Sequence, residues 1–252
     1  LAYIGKVPAN APLTSSDIAD GIISTADLAN TAVTGAKVNT DVISAQTALA
    51  TAPADTDEFL VSDAGVIKRI DYSLIKGGGA YEKISNTTVS SAVAQVDFNS
   101  MDTSTYRDFM VLCSGVQPVT DGVDLRLRFY SVPDGGFYDS TVYRYGNISR
   151  RQGGSTEVNQ STSAGFILVG TNSSGNNATH SRNIKVEVFN MPSTSQWKIT
   201  RHHFAGVDSD EEVLGGTGGG VMQYTSATNG LRFYFSSGNI AAGTFTLYGR
   251  KI

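Results

Sequence analysis

An all-β fold is predicted for most of this chain, as an antiparallel β-sandwich of the jelly-roll type preceded by an extended N-terminal repeat segment. Two observations carry the prediction. Only 17% of the 252 residues are charged, while 27 glycines and many Ser, Thr and Asn separate short apolar runs, a composition suited to many strands joined by turns. Those runs also follow one another from Ala80 to the end with period-two alternation and no intervening helical pattern.

The N-terminal segment comes first in the chain. Residues 1–54 are rich in Ala, Thr, Ser and Asp and are too poor in aromatics to build a globular core. Between Ser16 and Ala45 three decapeptides align: SDIADGIIST, ADLANTAVTG and AKVNTDVISA. In each, one aliphatic residue (Ile18, Leu28, Val38) precedes a second aliphatic group (Ile22, Val33, Val42) across Asp, Asn, Thr or Gly. A unit this short cannot bury its own apolar stripe and must stack on neighbours or on other copies of the chain. These six residues are therefore the expected anchoring and oligomerisation contacts. A disordered Ala/Thr-rich linker is the alternative reading.

Residues 55–79 form the second region. Asp55 to Ser62, the turn Asp63-Ala-Gly65 and Val66 to Ile70 read as strand, tight turn and strand, a small hairpin. A helical turn over Asp71 to Ile75 is compatible with the sequence, and Gly77 to Gly79 provide a swivel.

Residues 80–252 carry about ten expected strands. Leu125, Leu127 and Phe129 point one way and Arg126, Arg128 and Tyr130 the other; Leu231, Phe233 and Phe235 likewise oppose Arg232 and Tyr234. Turn signals such as Thr120-Asp-Gly122, Pro133-Asp-Gly-Gly136 and Asn229-Gly230 separate the runs. The Gly215 to Gly220 run reads as a mobile loop.

No catalytic, cofactor-binding or metal site is expected. Adjacent histidines His202 and His203 fall on opposite faces of a strand, and His180 has no ligand partner at metal spacing. Cys113 lies in an apolar run and reads as a small buried hydrophobe. Asp208 to Glu212 reads as a solvated acidic loop, with a paired-carboxylate glycosidase as the minor alternative. Trp197 is expected in the core. A net charge of −4, with no Lys/Arg cluster longer than two residues, argues against nucleic acid as a partner. No apolar run is long enough to span a bilayer, and the first residues lack a basic stretch followed by an apolar one, so neither membrane insertion nor a secretory leader is expected.

Four stretches resemble the fibre and head-decoration proteins of tailed bacteriophages, of the marine or cyanophage type. They are the opening Leu1-Ala-Tyr-Ile-Gly-Lys-Val-Pro8, the decapeptides, the module Glu58 to Ile75, and the closing run Gly230 to Gly249 ending in Leu-Tyr-Gly. The resemblance implies a homotrimeric, non-enzymatic virion protein assembled in the host cytoplasm. It implies a tail fibre whose N-terminal arm binds other virion proteins and whose β-sandwich head contacts host surface polysaccharide or protein. A capsid decoration or cement protein, clamping shell subunits through the arm, is the alternative; the chain is short for a complete tail fibre.

Overall fold

A computed structural model describes residues 18–39, 41–76, 80–170 and 173–251. The opening resemblance over Leu1 to Pro8, the first residues of the decapeptide series and the Gly77 to Gly79 swivel lie outside the described residues. The chain divides into two compact units, Leu1–Lys76 and Gly77–Ile252.

In the first unit, local hydrogen bonds recur ten residues apart. The amides of Ile22, Ala32 and Val42 donate to the carbonyls of Ala19, Ala29 and Asn39 at 3.3, 3.0 and 3.1 Å. Those of Asp27 and Lys37 donate to Ser24 and Thr34 at 3.0 and 2.9 Å. The latter two bonds close 3-10 turns at Thr25–Asp27 and Gly35–Lys37. Gly21 and Thr31, again ten residues apart, both take a left-handed backbone, with φ of 79° and 68°. A short helix α1 (Asp41–Ser44) follows.

Strands β1 (Glu58–Asp63) and β2 (Val66–Asp71) then form a hairpin in which Asp63 pairs with Val66. Ala64 and Gly65, at φ 49° and 84°, make its two-residue turn; the twist of such a turn matches the right-handed twist of the flanking strands. Helix α2 (Tyr72–Ile75) closes the unit.

The second unit is a β-sandwich. Its smaller sheet holds β4 (Val96–Phe98), β6 (Leu125–Ser131), β10 (Ile167–Leu168) and β14 (Thr228–Phe235) in the order β10-β6-β14-β4, with the two-residue β7 (Gly136–Phe137) also paired to β6. The larger sheet is built from β3 (Glu82–Val89), β5 (Tyr106–Pro118), β8 (Tyr143–Arg151), β9 (Thr156–Ala164), β11 (Arg182–Phe189), β12 (Lys198–Val207), β13 (Val213–Met222) and β15 (Ile240–Lys251). Their order is β3-β15-β5-β11-β12-β13-β8-β9, and neighbouring strands are antiparallel throughout. Among the described residues no helix is long and apolar enough to cross a membrane.

Alternation along the strands dictates the core. Leu125, Leu127 and Phe129 of β6 and Leu231, Phe233 and Phe235 of β14 point inward, where they meet Val111, Val186 and Phe245 from the larger sheet. Phe233 spans the two layers, its ring 5.7 Å from Phe245 and edge-on to Phe98 at 6.4 Å.

The Gly215 to Gly220 run is not a loop. It lies within β13, paired on both sides with β12 and β8. Its inward glycines are required by close neighbours: a Cβ at Gly216, Gly218 or Gly220 would come within 2.3 Å of the Ile148 carbonyl, 1.9 Å of Asn147 Oδ1 or 2.6 Å of the Ile167 side chain. Absence of side chains resembled turn chemistry in the sequence; in the fold it makes room for atoms of the neighbouring strands β8 and β12 at Gly216 and Gly218 and for Ile167 of the opposite sheet at Gly220. Strand β9, polar along its length, had no apolar run to mark it, because it is the outermost strand and no residue in it is buried.

Candidate functional site

All six residues expected to make anchoring contacts are exposed: Ile18, Ile22, Leu28, Val33, Val38 and Val42. So are Ile23, Ile43, Leu49, Leu60, Ile67 and Leu74 in the same unit. None of the described residues between 18 and 76 is buried. Apart from the packing of Phe59 against Tyr72, ring centroids 6.1 Å apart, the aliphatic side chains here lack an interior to enter.

The residues singled out for chemistry fall apart spatially. His202 points into the sandwich, fully buried, and His203 points out, as strand parity requires. Asn147 donates its amide to the carbonyls of Leu168 and Gly170 at 3.0 and 2.6 Å, so its Oδ1, 2.9 Å from His202 Nε2, must accept the imidazole proton. His202 is therefore the Nε2–H tautomer with Nδ1 buried and unbonded, and burial pushes its pKa down to about 4. Cys113 is buried, and burial pushes its thiol up. Among the described residues no group of three or more His, Cys, Asp or Glu side chains could hold a metal ion.

Two expectations need correction. Trp197 is not in the core: it is 47% exposed. Strand β12 turns Lys198, Thr200, His202 and Phe204 inward, so a residue one position before Lys198 has the outward parity. The acidic segment Asp208 to Glu212 is not simply solvated. Arg151 of β8 forms ion pairs with Asp208, Asp210, Glu212 and Glu157, while Asp208, fully buried, also accepts the amides of Asp210 and Glu212 at 2.9 and 3.0 Å. The segment fastens the β12–β13 turn to the β8–β9 hairpin.

A different surface gathers functional groups. On the outer face of the smaller sheet a groove of about 750 Å³ lies between β4, β6, β14 and the wall formed by residues 132–139. Arg232 on β14 stands directly opposite Arg128 on β6 and Asp97 on β4. Its guanidinium makes a two-point fork to Asp97, Nε to Oδ1 at 2.8 Å and Nη2 to Oδ2 at 2.7 Å, and lies 4.0 Å over the Phe137 ring. Tyr130 meets Phe137 edge-on at 5.3 Å. Arg128 donates Nε to the Gly165 carbonyl at 2.8 Å and stacks 5.1 Å over Tyr234. Asn99, Ser100, Asp139 and Asn229 complete the polar lining. At Gly230, opposite Tyr130, a Cβ would come within 2.8 Å of Tyr130 Cβ, so glycine keeps the floor open for the phenol.

Against protein-family models, curated proteins and solved structures, the chain shows no match.

Sequence reasoning placed Arg126, Arg128, Arg232 and Tyr234 correctly on outward faces but did not join them into a site. The signal available was the Arg-Leu-Arg alternation at 126–128 together with Arg232; what it lacked was the register that sets Arg232 opposite both Arg128 and Asp97.

Proposed function

We propose that this chain is a non-enzymatic structural protein of a phage virion: a homotrimeric tail fibre whose N-terminal unit provides assembly contacts and whose sandwich is a head domain facing the host surface. One observation carries the reading. From residue 18 to residue 76 no described residue is buried, although aliphatic side chains recur at the ten-residue spacing of the local hydrogen bonds. Each such side chain removed from water contributes about 1.5–3 kcal/mol. The favourable state is therefore one in which other copies of the segment cover these stripes. Three chains are the number implied by the resemblance of the decapeptides to fibre shafts.

The head is read as a jelly roll. Strands β3-β15-β5-β11 face β4-β14-β6-β10, and the chain passes between the sheets at every step of that eight-strand set except β6 to β10; this is the double Greek-key order. Hairpins β8–β9 and β12–β13 are then insertions that widen the larger sheet. Many copies on one particle would turn weak contacts with host surface polymer into avidity.

The test is location. With a label at the C-terminus, electron microscopy of intact particles is expected to place it at the tail. Label distributed over the capsid would replace the fibre with a decoration protein, and label on no particle would remove the virion reading.

A further inference from the structure

We infer that the groove on the outer face of the smaller sheet is a binding site for a neutral saccharide. This names a ligand class for the host-facing head proposed above and rests on that reading for its biological setting, though not for its chemistry.

The groove is constructed at a cost. Arg128 and Arg232 are directly opposed across β6 and β14, a like-charge pairing that destabilises a sheet. Each is fixed rather than left to swing away: Arg232 by the fork to Asp97 and the Phe137 ring, Arg128 by the Gly165 carbonyl and the Tyr234 ring. Guanidiniums held this way lose little side-chain freedom when a ligand arrives. The fork to Asp97 engages two of the five N–H groups of Arg232.

The charge balance selects the ligand. The lining holds two guanidiniums, Arg128 and Arg232, and two carboxylates, Asp97 and Asp139, with the amides of Asn99 and Asn229 and the phenol of Tyr130. A phosphate or carboxylate would gain from the arginines and be repelled by the aspartates. A vicinal diol suits both, because each hydroxyl donates to a carboxylate or amide oxygen and accepts from a guanidinium. Tyr130 and Phe137 provide an apolar wall for the C–H side of a pyranose ring. A volume of about 750 Å³ falls in the range of small-molecule pockets and admits an oligosaccharide end.

The experiment uses the full-length chain on a printed array of neutral oligosaccharides set beside carboxylated and phosphorylated ones, with affinities of bound sugars then measured by calorimetry. Binding to neutral sugars is expected, reduced at least tenfold by Asp139→Asn and by Arg232→Ala, and unchanged by Val213→Ser, an exposed position on the other sheet. Thermal unfolding of each variant separates lost binding from lost fold. If Arg232→Ala unfolds, Asp139→Asn alone decides. No neutral sugar bound, binding confined to the anionic sugars, or wild-type affinity in Asp139→Asn would overturn the inference. Tail labelling without sugar binding would overturn it while leaving the fibre reading intact, and sugar binding by a protein found on no particle would do the reverse.

Discussion

His202 ties the stability of the sandwich to pH. Its imidazole is buried and neutral, donating from Nε2 to Asn147, with a folded-state pKa of about 4 against about 6.5 for an unperturbed histidine. Between those values the unfolded chain binds the proton and the folded chain does not. Stability therefore rises with pH through this window and is lost as pH falls from about 6.5 towards 4, by roughly 2–4 kcal/mol from this group. Urea unfolding of the fragment 77–252 at pH 7.5, 6, 5 and 4.5 measures the slope, and His202→Gln is expected to flatten it. An equal slope in that variant would assign the pH dependence to the carboxylates. Arg151 is the second residue on which local structure depends. Asp208, which it neutralises, is fully buried, whereas Asp210 is largely exposed. Arg151→Ala removes the cation bonded to a buried carboxylate, leaving it only its two backbone amides and the field of Arg182, and is expected to cost about 3 kcal/mol. Asp210→Asn, at the solvent edge of the same cluster, is expected to change stability by less than about 1 kcal/mol. Chemical denaturation of both variants checks the contrast.

At the scale of the strand, β13 separates what composition reveals from what register decides. Gly215 to Gly220 offers a single side chain, that of Thr217, so period-two alternation had nothing to act on there, and glycine's turn preference prevailed. The reason for the glycines lies in other strands: the Ile148 carbonyl, the Asn147–His202 pair and the Ile167 side chain occupy the space their Cβ atoms would need. Ala substitutions at Gly216 and Gly218 are thus expected to destabilise the sandwich by about 1–3 kcal/mol or more through overpacking. At Gly215, where the nearest atom to an added Cβ is an ordinary 3.6 Å away, Ala should be tolerated within about 0.5 kcal/mol. Thermal and urea unfolding of the three variants tests the pattern, and equal losses at all three would mean that flexibility, not close approach, is what the glycines supply. By contrast the apolar faces of β6 and β14 were legible, since Leu125, Leu127, Phe129, Leu231, Phe233 and Phe235 alternate with polar or amphipathic residues and the structure buries all six, together with Ser131, Thr228 and Gly230 at the strand ends. The groove was not legible, because parity puts Arg128, Arg232 and Asp97 on an outer face and only pairing across non-consecutive strands brings them together. Trp197 fails for a related reason: one residue of phase, set by Phe204 and His202 further along β12, outweighs its size.

Over the whole molecule the two units differ in how they can be stable. Gly77–Ile252 encloses a continuous apolar core contributed by both sheets, so its folding free energy is internal to one chain. The described part of Leu1–Lys76 buries none of its residues, and a chain segment without burial cannot offset the roughly 1–2 kcal/mol per residue of backbone entropy that ordering costs. In the assembly proposed above its order comes from association, which makes stability depend on concentration. Fragment 77–252 is therefore expected to be a folded monomer with a single unfolding transition whose midpoint is the same at 1 and 100 μM. The full chain should sediment as a trimer, with a separate transition, attributable to residues 1–76, that moves upward with concentration. Replacing Leu28 and Val33 together by Asp puts charges where the proposed assembly brings the stripes together, and should shift the species to monomer while leaving the sandwich transition in place. A monomeric full chain whose residues 1–76 show protected amides would defeat this account, because the segment would then be ordered with nothing covering Ile18, Ile22, Leu28, Val33, Val38 and Val42.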